Sequence, residues 1–382
     1  MKDLLRKALG EIGRVGSREM EDWIEVRRRG GANVFTLRGG PVLALPEHVR
    51  AAIVAALDEP DRRPSQGLPE LREAIAGRLA AETGAAVDAD GEVIVTNGAM
   101  HALNIVIRAL VDPGDEVVIP TPNYFFDGVV RLAGGRPVHV LGSEDEGWPW
   151  DLDGIAAAVT GRTKAVLVSN PTNPTGFLPS PEDLRALAEL GRRHGFVVLS
   201  DESYDRFVYD GNAFTSLAAV APGEGIVVRS LSKSHALASW RVGYIVTRPE
   251  LLRGFRNLLE WDCLHCAYVP QRAAHAALTG PQEWLAGVPE RYEANRDRLL
   301  AAIAESERLS ARKPASAPFL FIDTRGIQAA AGRPATELLL DLGIPTVDGE
   351  LFGAPGHVRL PIGADETTLA RLEELLAGFR PG

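Results

Sequence analysis

The chain has 382 residues, 45% of them hydrophobic, and a formal net charge of −10. That length supports a large buried core and more than one domain, and the acidic balance, with no sustained basic stripe, argues against nucleic acid as a partner. No window approaches the ~18 uninterrupted apolar residues that would cross a bilayer, and Met1 to Arg18 is charged throughout with no apolar signal core, so no membrane association and a cytoplasmic protein are expected.

In chain order, Asp3 to Arg29 reads as a polar, amphipathic helix with a short apolar face at Trp23, Ile24 and Val26. Val34 to Leu37 is a strand candidate, broken by Arg38-Gly39-Gly40-Pro41, where glycine lets backbone amides approach a ligand. Pro46 to Asp58 carries Val49, Ile53 and Leu57 at helical spacing, and a second helix opens at Gly67-Leu68-Pro69. From Glu92 the pattern changes. Val93 to Thr96 predicts a strand, Asn97-Gly98-Ala99 a tight turn and Met100 to Leu110 a helix, whose free first amides suit a phosphate.

Further strands are predicted at Glu116 to Pro120, Val138 to Leu141, Ala165 to Ser169, Val197 to Ser200 and Ile226 to Val228, with helices between them, notably Ser180 to His194. This β/α alternation predicts a mostly parallel sheet flanked by helices, with ligands gathered beyond the carboxyl ends of the strands. Asn97, Asn170 to Asn173, Asp201 and Ser230 all fall just there. Beyond Pro249 the chain reads as helix through Leu251 to Leu278 and Trp284 to Ala304. Short strands follow at Phe319 to Asp323, Thr346 to Val347 and His357 to Leu360, then a closing helix over Glu366 to Phe379. The two cysteines, Cys263 and Cys266, have C-x-x-C spacing, but no second pair exists and His265 does not complete four ligands. They read as reduced thiols on a helix, and no metal site is expected.

The stretch Arg229 to Tyr244, R-S-L-S-K-S-H-A-L-A-S-W-R-V-G-Y, carries the strongest chemical signal. The chain has only five lysines, so Lys233 stands where arginine would have supplied a cation for its own sake. A lysine amine can lose its proton and attack a carbonyl, which a guanidinium cannot. With the Ser230 hydroxyl and the fixed cation Arg241, it suits an aldehyde cofactor bearing a phosphate. Four more clusters join it: Asn170-Pro171-Thr172-Asn173-Pro174-Thr175-Gly176, Asp201-Glu202-Ser203-Tyr204, Tyr124 after Pro122-Asn123, and Arg359 on a short strand, where a planar fork suits a carboxylate.

N-P-T-N-P-T-G, D-E-S-Y and S-L-S-K with an arginine eight residues beyond the lysine resemble, in order and approximate spacing, the signatures of the pyridoxal-phosphate aminotransferases of the aspartate aminotransferase superfamily (fold type I, class I/II). The resemblance runs from about Leu37 to Phe379. It implies an α/β fold: a large domain with a mostly parallel, seven-stranded-type sheet sandwiched by helices, plus a smaller α+β domain built from both termini. The expected division is an N-terminal segment 1–45 packing with the small domain, a cofactor-binding domain 46–280 and a C-terminal domain 281–382. It implies that Lys233 forms a Schiff base with pyridoxal 5′-phosphate and moves the proton between substrate Cα and cofactor C4′. Asp201 would pair with the pyridine nitrogen, and Asn173 and Tyr204 would hold the phenolic oxygen. Gly98, Ala99, Met100, Ser230 and Arg241 would bind the phosphate, while Tyr124 would stack on the ring. Arg359 would take the substrate carboxylate with Asn173 and the backbone near Gly39.

Two positions depart from the family pattern. Arg62 stands where a tyrosine reaching the neighbouring subunit's phosphate is common, and as an arginine it could still make that cross-subunit phosphate contact; Ser239 stands where a glycine commonly precedes Trp-Arg. The implied activity is amino transfer between an α-amino acid and a 2-oxo acid, by a ping-pong cycle through pyridoxamine phosphate in a homodimer. A lyase, cyclase, decarboxylase or oxidase of an amino acid on the same scaffold, possibly in specialised metabolism, is the alternative, because the same carbanion has several exits. A ligand-sensing module of this fold is a third reading, for which the segment before Gly39 is short and acidic. Glu19, Glu21 or Asp22 as an acidic pocket wall would suit a basic amino acid.

Overall fold

The computed structural model describes residue 12 and residues 16–59 and 64–379; Arg62 lies outside the described residues. Its centre is a seven-stranded sheet of β1 (Val93–Thr96), β2 (Glu116–Thr121), β3 (Arg136–Leu141), β4 (Thr163–Ser169), β5 (Val197–Asp201), β6 (Gly225–Ser230) and β7 (Gly243–Val246). The strands lie in the order β1-β7-β6-β5-β4-β2-β3. Neighbours from β6 through β3 are parallel, and β7 runs antiparallel between β1 and β6. Helices cover both faces, so strands such as Val93–Thr96 and Ile226–Ser230 are buried along their whole length and read as continuous Val/Ile runs without alternation.

Local chemistry sets the boundaries. The helix Pro181–His194 begins at a capping box, in which Ser180 and Asp183 satisfy each other's backbone amides, and ends at Gly195 in the left-handed region. A second, antiparallel sheet follows: β8 (Ser310–Ala311), β9 (Phe319–Asp323), β10 (Val347–Asp348) and β11 (His357–Pro361), in the order β10-β11-β9-β8. It shares a separate core with the helices Val288–Ala304 and Glu366–Ala377, through Leu299, Ile303, Leu320, Val358, Leu369 and Leu372. Phe35, Leu37 and Leu43 from the N-terminal segment pack against that core.

Two elements differ most from the sequence expectation. Val34 to Leu37 is not a strand; the segment makes only a bridge between Arg38 and Gly363. The single helix expected over Leu251 to Leu278 is two, Pro249–Cys263 and Tyr268–Thr279, parted at Leu264, whose φ is 62°. The cause is Pro270, which lacks an amide proton and fits a helix only in its first turn, so the chain must leave one helix and start another just before it. The cysteines accordingly straddle a helix end.

Below the carboxyl ends of β5 and β6 lies a buried ionic cluster. Arg229 donates to Glu202 at 3.0 Å and to Glu82 at 2.5 Å, with Asp205 at 3.4 Å, and Arg229 and Glu202 are almost wholly excluded from solvent. Glu202 also accepts from the Ser216 hydroxyl and the Leu217 amide. Removing one partner of such a pair strands the other charge in the interior. Arg229→Met is therefore expected to lower the unfolding free energy by about 3–5 kcal/mol in urea denaturation, whereas Arg333→Met, at an exposed pair, should change it by less than about 1 kcal/mol.

Candidate active site

A cavity of about 500 Å³ opens where the strands end. Asp201 closes β5 and Ser230 closes β6, and Asn173 follows β4 through a loop with cis peptides before Pro171 and Pro174. Lys233 sits in the short helix Leu231–Ser234 that leaves β6, with Ser230 as N-cap accepting from the Ser232 amide at 3.2 Å. Burial, with Arg359 and Arg241 adding like charge, brings the Lys233 amine down to about 8. Burial also pushes the Asp201 carboxyl up to about 6, against the Ser203 hydroxyl at 2.5 Å and amide at 3.1 Å, which favour the anion.

Across the cavity, Arg359 is buried on β11. It donates to the Asn173 side-chain oxygen at 3.0 Å, its guanidinium carbon lies 4.4 Å from the Phe319 ring centre and 5.0 Å from that of Phe352, and its Nε has no partner among the described residues. Asn173 is thus a bridge, because its amide also donates to the Tyr204 hydroxyl at 3.4 Å. Burial pushes the Tyr204 phenol upward, so it stays protonated and able to donate. Tyr124 lines the same cavity with its edge toward Phe126.

At the other end, Gly98 precedes the helix Ala99–Leu110 with φ 83°. A Cβ at Gly98 would fall 2.4 Å from an Arg241 guanidinium nitrogen, so only glycine lets that cation lie against the helix start. Arg241 is itself left-handed, at φ 54°, and donates to the Ala238 carbonyl at 3.0 Å and toward Ser232 at 3.4 Å. First-turn amides, an arginine and the hydroxyls of Ser230 and Ser232 together form a cradle for a dianion.

The cavity therefore brings together Lys233, Asp201, Asn173, Tyr204, Tyr124, Ser230, Arg241, Ala99 and Met100, with Gly98 and Arg359 at its margins. The glycine pair is resolved more finely than expected. Gly39 faces the Phe319 ring, and Gly40 is the residue against Lys233, where a Cβ would meet the lysine Cδ at 2.7 Å. Sequence reasoning missed Arg18, Ser169, Ser203 and Ser232. Ser203 had a local signal, since Asp-x-Ser commonly folds the serine onto the carboxylate two residues back. From the helix Gly16–Arg29 it is Arg18 that lines the cavity, with Glu21 as its ion partner.

These residues fit a phosphorylated aldehyde. A buried carboxylate held only by a hydroxyl and an amide calls for a cationic partner, the amine is poised to lose its proton, and the glycine-floored cradle has room for a phosphate. The class so defined is that of fold type I enzymes that hold pyridoxal 5′-phosphate on a lysine.

The family model described as aminotransferase class I and II matches residues 31–377. The aspartate aminotransferase of Geobacillus stearothermophilus is 34% identical over 362 residues, covering 91% of this chain and 92% of that protein. A probable aspartate/prephenate aminotransferase of Thermus aquaticus is 36% identical over 360 residues, 93% of each. Among solved structures, aspartate aminotransferase from Thermus thermophilus with maleate superposes with a TM-score of 0.91 at 34% identity over 98% of both chains. The chain belongs to the class I and II aminotransferase family, and it is a transaminase that uses pyridoxal 5′-phosphate.

Gly98→Ala should weaken cofactor binding by roughly ten- to a hundredfold, the equivalent of about 1–3 kcal/mol of backbone strain and displaced cation, read by titrating stripped protein with cofactor. The rate at which stripped protein captures the aldehyde should climb about tenfold per pH unit below pH 8 and level off above it, because only the uncharged amine attacks. Arg359→Ala removes a positive neighbour, so the same inflection should move to higher pH.

Proposed function

We propose that Lys233 is the residue on which this transaminase works. When bound, pyridoxal phosphate supplies a conjugated ring that withdraws electrons from the substrate Cα. Lys233 Nζ would hold its aldehyde carbon and would carry the proton between Cα and cofactor C4′. The Asp201 carboxylate would hold the proton on the pyridine nitrogen, and the Asn173 amide and Tyr204 hydroxyl would donate to the phenolic oxygen. The Ala99 and Met100 amides, Ser230 and Arg241 would hold the phosphate, and Tyr124 would cover the ring. Arg359 orients the substrate α-carboxylate, with its charge fixed by Asn173 and two aromatic rings. The observation that carries the assignment is the Lys233 amine, brought to about 8 by burial and by Arg359 and Arg241 in the cavity that also contains Asp201.

The aspartate in the relatives' names and the maleate that accompanies one of their structures are both dicarboxylates, which accords with Arg18 as the cation that meets a side-chain carboxylate at the cavity mouth. We therefore propose a dicarboxylic amino donor in place of the basic one suggested by Glu19, Glu21 and Asp22. Residues 46–280 form the cofactor unit, with 1–45 and 281–382 as the smaller unit, supported by Phe35, Leu37 and Leu43 on the second core. The exposed Val54, Leu57, Trp261 and Leu264 support a homodimer, and the free thiols of Cys263 and Cys266 support a cytoplasmic location. No helix among the described residues is long and apolar enough to cross a membrane.

Loaded protein mixed with aspartate and no acceptor should release a 2-oxo acid once per chain and then stop; ammonia release or dioxygen uptake would instead place it among the other reactions of this scaffold. Lys233→Ala should cut the turnover on the order of a thousandfold or more. Arg359→Ala should raise KM for amino donors roughly a hundredfold, from about 2–4 kcal/mol of lost charge-assisted hydrogen bonding.

A further inference from the structure

The two cysteines have no part in that chemistry, yet the fold brings a histidine to them from far along the chain. Cys263 closes the helix Pro249–Cys263, Leu264 reverses the backbone, and Cys266 returns against the end of β1, where its thiol donates to the Val95 carbonyl at 3.4 Å. His101, in the first turn of Ala99–Leu110, lies beside them, and one ring nitrogen and both sulfurs fall within 4.8 Å of one another. Tetrahedral zinc, with sulfur at about 2.3 Å and nitrogen at about 2.0–2.1 Å, needs ligand separations of about 3.5–3.8 Å. Closing the set takes an adjustment of about an ångström, within reach of side-chain rotation at a helix end.

His101 already holds the tautomer that ligation requires. The Asn97 amide donates to its Nδ1 at 3.0 Å, so Nδ1 carries the lone pair and Nε2–H donates to Asp262 at 3.2 Å. Asp262 is held in turn by Arg108 at 2.6 Å. A carboxylate behind the far nitrogen of a histidine is what zinc-binding imidazoles commonly have, because it fixes the tautomer and strengthens the donor. Cys266 is buried and Cys263 only partly so, which leaves one side open to water.

We propose that His101 Nδ1, Cys263 Sγ and Cys266 Sγ bind a zinc ion, with Asp262 as positioning residue and water as the fourth ligand. Both thiol protons leave to solvent as the Zn–S bonds form, and no electron transfer is involved. Zinc takes the one lone pair of Nδ1 that now receives the Asn97 backbone amide at 3.0 Å, while Cys263 Sγ, as a thiolate, can still receive the Asn97 side-chain amide. The residue before Gly98 thereby loses a backbone anchor, and the phosphate cradle loosens. This coupling rests on the cradle assigned above; the metal site itself does not. C-x-x-C spacing alone did not reach a ligand set because the third donor lies on another helix.

The test uses the reduced, metal-stripped holoenzyme, dialysed after loading with zinc or with cobalt(II) as a spectroscopic probe. The expected result is one zinc retained per chain, a thiolate-to-cobalt charge-transfer band in the near ultraviolet, and loss of both in Cys263→Ser/Cys266→Ser. Asp262→Asn should weaken zinc by about ten- to a hundredfold. Should the double variant fail to fold, the cobalt band of the unaltered protein and protection of both thiols from alkylation by zinc decide the matter. No retained metal, metal retained by the folded double variant, or a cobalt spectrum without thiolate absorption would each overturn the site. Zinc loading should speed cofactor loss on dilution several-fold; an unchanged rate with zinc bound refutes the coupling and leaves the site standing. Failure to bind pyridoxal phosphate at all would refute the cradle without altering the zinc count.

Discussion

Arg229 is the interaction on which the site depends. It is the last residue but one of β6, and Glu202 follows the last residue of β5, so their buried ion pair ties together two strand ends carrying Ser230 and Asp201. The pair alone would be a weak source of stability, since desolvating two charges offsets much of their attraction. Its value lies in position. Glu82 reaches in from the helix Pro69–Thr83 and Asp205 from the turn after β5, so one guanidinium fixes four segments directly beneath the cavity. A carboxylate at the end of one strand and a lysine in the short helix after the next gain little from the right identity unless their separation is fixed to a fraction of an ångström.

Above that layer, burial tunes the chemistry, and it moves the acid and the base toward one another. Lys233 and Asp201 are both disfavoured as ions by desolvation, so the amine falls to about 8 while the carboxyl rises to about 6. Charge separates the cases further. Lys233 has Arg359 and Arg241 as neighbours, which hold its amine toward the neutral, nucleophilic form. Asp201 is opposed chiefly by its own burial and by Glu202, with Ser203 holding the anion against both. On the proposed assignment, a ring cation would relieve the penalty on Asp201 and attachment to an aldehyde would remove that on Lys233, so both shifts favour taking up the cofactor.

Much of this was legible in the sequence because parallel α/β sheets put ligand-binding groups where strands end. Asn173, Asp201, Ser230 and Lys233 each follow a run of Val, Ile or Leu, and a one-dimensional pattern suffices to find them. What the pattern could not supply was anything fixed by distant packing. Nothing in the sequence marks Phe319 and Phe352 as partners of a guanidinium; β11 places Arg359 against both. The strand Gly243–Val246 was hidden because it follows the cofactor motif with no turn signal of its own, and it alone runs against its neighbours. Ser310–Ala311 is too short for any periodicity to show. The break at Leu264 had a marker in Pro270, but a leucine in the left-handed region carries no compositional warning.

The distribution of the site over the fold also separates two tasks. The groups assigned to the cofactor sit on the central sheet, the segments leaving it, or the first turn of Ala99–Leu110, around one continuous core, and Tyr204 alone among them packs on the second core. The groups assigned to the substrate come from elsewhere: Arg359 from the small sheet and Arg18 from the N-terminal helix. Arg359 is buried and locked by Asn173, as befits a carboxylate that every amino acid carries. Arg18 is exposed and, among the described residues, pairs with its own neighbour Glu21, a contact of the kind worth little in water that a substrate carboxylate would readily replace. On the proposed assignment, selectivity for the side chain would change by substitution on one peripheral helix while the phosphate cradle stays as it is, although Arg18 and Glu21 also act on the charge of the Lys233 amine.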